Sequence, residues 1–380
     1  MRLIKTNLTA NEIKPKLKEL TAKLFRNVPS GVGSKGKLRL SVDELDEAVT
    51  LGAKWAVEKG YGWEKDLKHL EEGGEIKGAD PSKVSDKAKQ RGRPQFGTLG
   101  AGNHFLEVQK VERIFDEKIA RVFGLEEGQL TIMLHCGSRG FGHQICDDYI
   151  RTMLRASEKY NILLPDKELC CAPIDSPEAN DYMKAMYCAV NYAFCNRQVM
   201  THWIRETMEE VFKKEAESMD LNIVYDVCHN IAKMEKHEVD GKIKMVCVHR
   251  KGATRAFPPG SEEIPADYRS VGQPVLIPGS MGTASYVLSG VESGKEAFYS
   301  TCHGSGRVMS RHAAIRQYRS DDVKRNLEQK GLAIFATSGE VISEEAPGAY
   351  KNVDEVVDGV AKAGLSKIVA RVTPMGVAKG

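Results

Sequence analysis

Three strand-type runs in the sequence carry a histidine at or beside one end. Residues 100–107 place His104 where a strand begins, residues 130–135 end in His135, and residues 223–230 contain His229 near their C-terminal end. Histidines at the mouths of separate strands can build a metal site across a sheet, because a neutral imidazole nitrogen suits first-row divalent ions. One such histidine alone is more often a hydrogen-bonded structural residue, but three in similar settings predict a metal site.

Strand and helix signals fall in separate clusters along the 380-residue chain. A long helical pattern extends from Ser176 to about Glu215, strand-type runs dominate from residue 221 to about residue 299, and a terminal strand is predicted over 368–377. Clustering of this kind predicts an α+β fold with mixed or antiparallel sheets and flanking helices, not a doubly wound fold. Because no repeat or linker divides the chain, we expect one large domain over residues 1–380.

Local patterns predict where several helices begin. A Ser or Thr followed three residues later by Glu forms a capping box, and a proline after a capping Ser favours a helix start. Such starts stand at Thr9, Ser41, Ser176 and Asn352. We expect the helix after Ser41 to continue through Trp55, and the polar residues 65–93 to form a surface excursion of helix and loop.

Composition limits the classes of function. A net charge of +3 argues against a polybasic nucleic-acid-binding protein, so an RNA or phosphate site has to be a local basic patch. The nine cysteines form no CxxC pair and no regular spacing, which predicts reduced thiols rather than a disulfide framework. The sequence shows neither a leader peptide nor an apolar run long enough to span a bilayer, so we expect a cytoplasmic protein without membrane contact.

The segment 300–307, with the sequence STCHGSGR, is a candidate anion site. A strand-like run over 296–299 is expected to deliver His303 to a loop that holds Gly304 and Gly306. Glycines let backbone N–H groups point into one concavity, and an imidazole at its edge is a nucleophile that titrates near neutrality. For this motif alone, a glycine turn with a hydrogen-bonded histidine is the more frequent alternative.

Further glycine and arginine residues lie at loop ends. Residues 278–282, PGSMG, form a second candidate cradle for a nucleotide. Several arginines around one mouth would suit a polyanion, because the guanidinium fork matches phosphate oxygens. They are Arg139, Arg250, Arg255, Arg307 and Arg311. For Arg255 a solvated surface charge is the favoured interpretation, and the cysteines beside the strand-end histidines are interpreted as small core residues.

Six motifs in a fixed order give the chain a family resemblance. They are GAGNHFLE at 100–107, HCGSRG at 135–140, CHN at 228–230, PGSMG at 278–282, CHGSGR at 302–307 and GVAKG at 376–380. Together they resemble the RtcB family of tRNA-splicing RNA ligases, in its archaeal or eukaryotic branch, over residues 1–380. The resemblance implies a GTP- and Mn²⁺-dependent ligase for tRNA splicing and RNA repair. Such a ligase joins 2′,3′-cyclic phosphate or 3′-phosphate RNA ends to 5′-hydroxyl RNA ends.

Roles of individual residues follow from the resemblance. It implies that His303 attacks the α-phosphate of GTP to give a guanylyl-histidine, and that His104, His135 and His229 bind Mn²⁺. The residues implied to hold the guanylate are Asn103, His104, Glu107, His229, Asn230, Pro278, Gly279, Ser280, Met281, Ser285, His303, Gly304, Ser305, Gly306, Tyr350 and Lys379. Those implied to face RNA or other phosphates are Arg91, Arg139, Arg307 and Arg311. The implied partners are RNA, GTP and a helper protein of the archease type.

The sequence departs from the family pattern at its start. Family members have further residues before the position of Met1, including an aspartate and a cysteine that complete a two-metal site. We therefore expect weaker metal binding and an uncertain second metal. A metal-dependent phosphoesterase and an inactive nucleotide- or RNA-binding remnant are the alternatives, and formation of a guanylyl-histidine distinguishes the ligase from both.

Overall fold

A mixed eight-stranded sheet forms the centre of the structure, a computed structural model that describes residues 1–380. Its strands run in the order β4-β1-β3-β2-β12-β9-β8, and β11 pairs in parallel with the C-terminal half of β12. All other pairs in this sheet are antiparallel. The strands are β1 Arg2–Thr9, β2 Phe105–Ile114, β3 Gln129–His135, β4 Asn222–Asp226, β5 Asn230–Val239, β6 Lys242–Lys251, β7 Ala253–Arg255, β8 Pro274–Ile277, β9 Ser285–Gly290, β10 Ser300–Cys302, β11 Ala333–Ala336 and β12 Ser366–Lys379. The predicted α+β class with mixed sheets is confirmed.

Helices flank the sheet, and their capping residues explain where they begin. The predicted capping boxes at Thr9 and Ser41 form, and the side chains of Ser176 and Asn352 cap the helices that follow them. The helices are α1 Ala10–Ile13, α2 Leu17–Asn27, α3 Val42–Leu51, α4 Ala53–Glu58, α5 Asp86–Gly92, α6 Glu117–Phe123, α7 Arg139–Lys159, α8 Pro177–Phe212, α9 Arg311–Gln317, α10 Ser320–Gln329, α11 Gly339–Glu344 and α12 Val353–Lys362. The expected helix through Trp55 is interrupted at Gly52, whose φ of +61° suits glycine.

Apolar side chains cover both faces of the sheet. On one face Leu106, Ile132 and Leu134 join a core of 39 buried residues that includes much of α8. On the other face Phe105 and Met133 join a second core of 19 residues with the apolar side of α6. Because successive strand residues point to opposite faces, a sheet buried on both sides reads as a continuous apolar run.

Two small sheets lie beside the main one. Strands β5 and β6 form an antiparallel hairpin, and β7 pairs antiparallel with β10. The prediction that residues 296–299 form a strand leading to His303 was wrong. Residues Glu292–Ala297 form 3₁₀ turns, Phe298 and Tyr299 have φ of +50° and +48°, and the strand is Ser300–Cys302.

Buried charges overturn the prediction for Arg255 and add buried residues to the predicted surface excursion. Arg255 is 2% exposed rather than solvated, and its guanidinium donates to Glu72 at 2.6 Å. Within residues 65–93, Asp66 and Glu71 are buried and paired with Arg205 and Lys233. Charged side chains are almost never fully buried unless they are paired, and none of these three pairings is visible in sequence periodicity.

None of the helices in the structure has both the length and the apolar character that a membrane span needs.

Candidate active site

One end of the main sheet collects the strand-end histidines. His104 immediately precedes β2, His135 is the last residue of β3, and His229 follows β4 by three residues. Phe105 is the ladder partner of both His135 and Lys379, the last residue of β12. Antiparallel pairing therefore brings the start of β2 and the ends of β3 and β12 to one end of the sheet.

Backbone hydrogen bonds of Gly252 hold His303 at this end of the sheet. The N–H of Gly252 donates to the carbonyl oxygen of His229 at 2.9 Å, and the carbonyl oxygen of Gly252 accepts from the N–H of His303 at 3.2 Å. Gly252 has a φ of +66°, a conformation that glycine adopts without strain. Gly252, which links β6 to β7, thus holds the His229 and His303 backbones together. The two imidazole rings stack with centroids 3.6 Å apart.

The most compact set of nitrogen donors is His135, His229 and His303. One ring nitrogen from each residue lies within 4.8 Å of the other two, and the Nε2 atoms of His135 and His229 are 3.4 Å apart. His104 is outside this compact group, and its ring centroid lies 5.7 Å from that of His135. The structure therefore brings together all four histidines assigned to the site, with His303 inside the compact group and His104 at its border.

The histidine rings are held neutral. Burial lowers the pKa of His104 to about 3, assisted by the nearby cation of Arg139. Burial also lowers the pKa of His135, His229 and His303 well below the usual range. A neutral imidazole keeps a nitrogen lone pair, which can bind a metal ion or attack an electrophile.

Unpaired nitrogens at this site fit a bound metal ion. The Nδ1 atoms of His104, His135 and His229 are buried without a hydrogen-bond partner, as are both ring nitrogens of His303. Buried polar atoms are normally paired, so these unpaired nitrogens are available to a bound group. Neutral imidazole nitrogens are ligands for first-row divalent ions, and the donors present therefore fit the expected Mn²⁺.

Beside the histidines, Glu107 lies in a buried polar group. Gln109 Nε2 donates to Glu107 Oε2 at 2.8 Å and approaches Ser285 Oγ at 3.5 Å, and Ser285 Oγ accepts from the N–H of Gly279 at 3.2 Å. Burial raises the pKa of Glu107 to about 7, against the lowering effects of Gln109 and Lys379. Glu107, Ser285 and the 278–281 loop, all assigned to guanylate binding, are thus neighbours.

Glu345 contacts both Lys379 and Tyr350, and the sequence patterns did not identify it. Its Oε2 accepts from Lys379 Nζ at 3.3 Å and from the Tyr350 hydroxyl at 2.5 Å, and its Oε1 pairs with Arg307 at 3.1 Å. Although burial alone would raise it, the pKa of Glu345 is lowered by Lys379, Tyr350 and Arg307. The only sequence signal was an acidic pair, residues 344–345, shortly before Tyr350.

The two glycine loops face each other. A Cβ atom at Gly304 would lie 3.7 Å from the Pro278 carbonyl oxygen. Gly306 has a φ of +72° with open space around it, so its backbone conformation rather than crowding favours glycine. Ser280, Met281 and Ser305 are buried in these loops.

Asn103 and Asn230 are exposed beside the histidines that they adjoin. The Oδ1 atom of Asn230 accepts from the Gly252 N–H at 3.2 Å. Asn103 is therefore exposed to solvent, whereas Asn230 also contacts Gly252, the residue that hydrogen-bonds both His229 and His303.

The four assigned arginines differ in how far they are free to bind a ligand. Arg139 donates to Thr98 and to a backbone carbonyl, Arg91 donates to Gln144, and Arg307 is bound to Glu345 and Tyr350. Arg311 pairs with Glu344 at 2.8 Å, yet 53% of its side chain is exposed. Arg91 and Arg311 are exposed, Arg139 and Arg307 are half-buried, and all four have partners within the protein.

Fold and site together define an α+β protein with a buried, neutral histidine cluster suited to a divalent metal ion. The profile of the family described as tRNA-splicing ligase RtcB matches residues 1–380. The chain therefore belongs to the RtcB family.

Three curated relatives named tRNA-splicing ligase RtcB show the extent of this similarity. The protein of Thermococcus kodakarensis is 60% identical over 381 residues, which cover 100% of this chain and 79% of the relative. That of Archaeoglobus fulgidus is 59% identical with the same coverage. That of Pyrococcus abyssi is also 59% identical, and the match covers 100% of this chain and 42% of the relative.

Proposed function

We propose that this protein is an RNA ligase of tRNA splicing and RNA repair. It joins RNA ends bearing a 2′,3′-cyclic phosphate or 3′-phosphate to ends bearing a 5′-hydroxyl, and it consumes GTP. The observation that carries the proposal is His303, a buried neutral imidazole with both ring nitrogens unpaired, beside two further histidines. Membership of a family named for tRNA-splicing ligation supports the same reaction class.

The first step uses the lone pair of a His303 ring nitrogen. That nitrogen attacks the α-phosphorus of GTP, a P–N bond forms, and the P–O bond to pyrophosphate breaks. A neutral imidazole is required because a protonated ring has no lone pair, and the lowered pKa of His303 supplies the neutral form at physiological pH. The resulting guanylyl-histidine is an activated phosphoramidate.

His104, His135 and His229 are proposed to hold Mn²⁺. When bound, the ion would neutralise charge on the phosphates and orient the leaving group. The His135 and His229 Nε2 atoms lie 3.4 Å apart, so these two nitrogens converge on one small volume. In this assignment His303 remains free to act as the nucleophile.

The guanylate is proposed to lie between the Glu107 and Glu345 groups. The Glu107 carboxylate could accept N–H groups of the base, and the 278–281 loop and the Gly304–Gly306 segment offer backbone N–H groups to phosphate. A 2′,3′-cyclic phosphate end is first opened by water to a 3′-phosphate. In the second step an oxygen of the RNA 3′-phosphate takes the guanylyl group, so that the P–N bond to His303 breaks and a phosphoanhydride forms. A 5′-hydroxyl then attacks the phosphorus of that 3′-phosphate, the anhydride bond breaks, and GMP leaves. Arg311, whose side chain is 53% exposed, is proposed to contact the RNA.

Labelling with α-³²P-GTP and Mn²⁺ tests the proposal. We expect a labelled protein adduct that resists alkali, is lost in acid and is absent from His303→Ala. His143→Ala is the matched control, because that side chain is 71% exposed outside the cluster, and its labelling should equal that of the wild type.

The alternatives give different results in the same assay. Hydrolysis of RNA phosphate ends without an adduct would favour a phosphoesterase. Binding of GTP and RNA without either reaction would favour a nucleotide-binding protein. Either result with the Mn²⁺-loaded protein contradicts the ligase proposal.

A further inference from the structure

An acidic pair far from the histidines in sequence contacts both segments that carry the stacked rings. Glu71 is 1% exposed, and its Oε2 accepts from the backbone N–H of Cys228, the residue before His229, at 2.7 Å. Its Oε1 accepts from Lys233 Nζ, on β5 directly after His229, at 2.6 Å. Glu71 therefore binds the chain on both sides of His229.

The same acidic pair also reaches the segment that leads to His303. Glu72 Oε1 accepts from Lys233 Nζ at 2.8 Å and from Arg255 Nη1 at 2.6 Å. Arg255 lies on β7 and is the ladder partner of Ser300 in β10. Strand β10 ends one residue before His303, so the two strands and the acidic pair form one connected unit.

The backbone of this turn is held in an uncommon conformation. Glu72 has a φ of +55° and ψ of +25°, the left-handed region that non-glycine residues rarely occupy. A residue keeps such a conformation when surrounding contacts fix it, and the contacts of Glu72 are Lys233 and Arg255. The turn places both carboxylates toward the histidine-bearing strands.

We propose that Glu71 is a positioning residue that fixes His229 relative to His303. It acts through Cys228 and Lys233, and through Arg255, whose Nε lies 4.0 Å from Glu71 Oε1. This inference rests on the proposed function for its kinetic consequence, but the positioning itself is a property of the fold. Loss of the Glu71 contacts would weaken the two backbone hydrogen bonds of Gly252, which connect His229 to His303. The stacked rings would then lose their fixed separation.

Glu71→Gln is the test variant and Asp66→Asn the matched control. Asp66 is also buried and ion-paired, but its partners Arg205 and Gln198 lie on α8, and neither hydrogen-bonds His229, His303 or their neighbours Cys228 and Gly252. Glu71→Asp is the second variant, because it keeps the charge but is one methylene too short for both Cys228 and Lys233. It keeps the test valid if Glu71→Gln does not fold.

Amide hydrogen exchange measures the positioning without metal or activity. We expect the Gly252 and His303 amides to exchange about tenfold faster in the Glu71 variants than in Asp66→Asn, after correction for global stability. Equal exchange in the Glu71 and Asp66 variants overturns the proposal.

Guanylylation kinetics measure the consequence of the positioning. We expect the rate of adduct formation to fall about 100-fold in the Glu71 variants, since displacement of a reacting group by about 1 Å has an effect of that size. The KM for GTP should stay within about twofold, because the Glu107 and Glu345 groups are untouched. A parallel loss of rate in Asp66→Asn overturns the proposal. Absence of an adduct in the wild type, with the exchange difference present, refutes the proposed function but not the positioning.

Discussion

The imidazole rings of His229 and His303 lie stacked, with centroids 3.6 Å apart and planes 10° from parallel. The peptide of Gly252 hydrogen-bonds both backbones and so fixes this approach. Burial lowers the pKa of both rings, which removes the charge repulsion that two imidazolium ions would have at this distance. One residue can therefore serve as ligand while its neighbour serves as nucleophile.

Replacing His229 by phenylalanine separates these two roles. His229→Phe keeps an aromatic ring to stack on His303 but removes both nitrogens. We expect Mn²⁺ affinity to fall about 100-fold or more, because residues that merely orient a metal ligand already cost 10–100-fold when changed. Electron paramagnetic resonance titration of free Mn²⁺ measures this, with His143→Phe as control. Unchanged binding in His229→Phe would show that His229 is not a ligand.

The pKa of Glu107, raised by burial to about 7, predicts a pH-dependent stability. An unfolded glutamate titrates near 4.5, so between pH 4.5 and 7 the folded protein holds a proton that the unfolded chain releases. The free energy of unfolding therefore decreases as pH rises through this window. Glu107→Gln removes this decrease and should gain roughly 2–3 kcal/mol relative to the wild type between pH 4.5 and pH 8.

Urea denaturation of the Glu107 variant at pH 5 and pH 8 measures the difference. Glu117→Gln, at an exposed position on α6, is the control, and its difference from the wild type should not change between the two pH values. A pH-independent difference for Glu107→Gln would contradict the raised pKa.

Glu345 compensates two cations at the proposed guanylate site. Glu345→Gln leaves the buried Lys379 ammonium without its carboxylate, and we expect the free energy of unfolding to fall by roughly 3 kcal/mol. Affinity for GTP should fall with it, because Lys379 and Tyr350 lose their common anchor. Chemical denaturation and calorimetric GTP titration measure the two effects. Glu292→Gln, at an exposed carboxylate that contacts Tyr299, should change stability by no more than about 0.5 kcal/mol.

Local patterns in the sequence predicted the features that depend on neighbouring residues. The capping boxes at Thr9 and Ser41 depend on side chains three residues apart, and both form. His104, His135 and His229 converge because the strands beside them are antiparallel and the relevant strand ends lie at one end of the sheet. Their roles as ligands, like that of His303 as nucleophile, stay predictions.

Long-range pairing decided the features that sequence reasoning missed. Arg255 resembled a surface charge because its partner Glu72 lies 183 positions away. Glu345 had no visible role because Lys379 and Arg307 reach it from different elements. Helix α7, Arg139–Lys159, was not predicted, and its opening turn contains two glycines that mimic a loop. Tertiary contacts, not local propensity, settled each case.

The buried ion pair of Arg250 and Glu235 secures the approach to His303. Arg250 is 1% exposed, and its guanidinium bonds both oxygens of Glu235 at 2.6 and 2.9 Å. It also donates to the Phe298 carbonyl and to Ser300 Oγ, each at 3.0 Å. Phe298 has a positive φ, so Arg250 holds a strained turn directly before β10.

A double-mutant cycle on this pair gives an asymmetric prediction. Arg250→Met leaves the buried Glu235 carboxylate with His237 as its remaining hydrogen-bond partner, and the free energy of unfolding should fall by about 3–5 kcal/mol. Arg250→Met combined with Glu235→Leu removes both charges and should recover at least half of that loss, because apolar side chains carry no desolvation cost. Urea denaturation of the four proteins gives the coupling energy. Losses that simply add would contradict the interaction, since residues in contact should couple by at least about 0.5 kcal/mol.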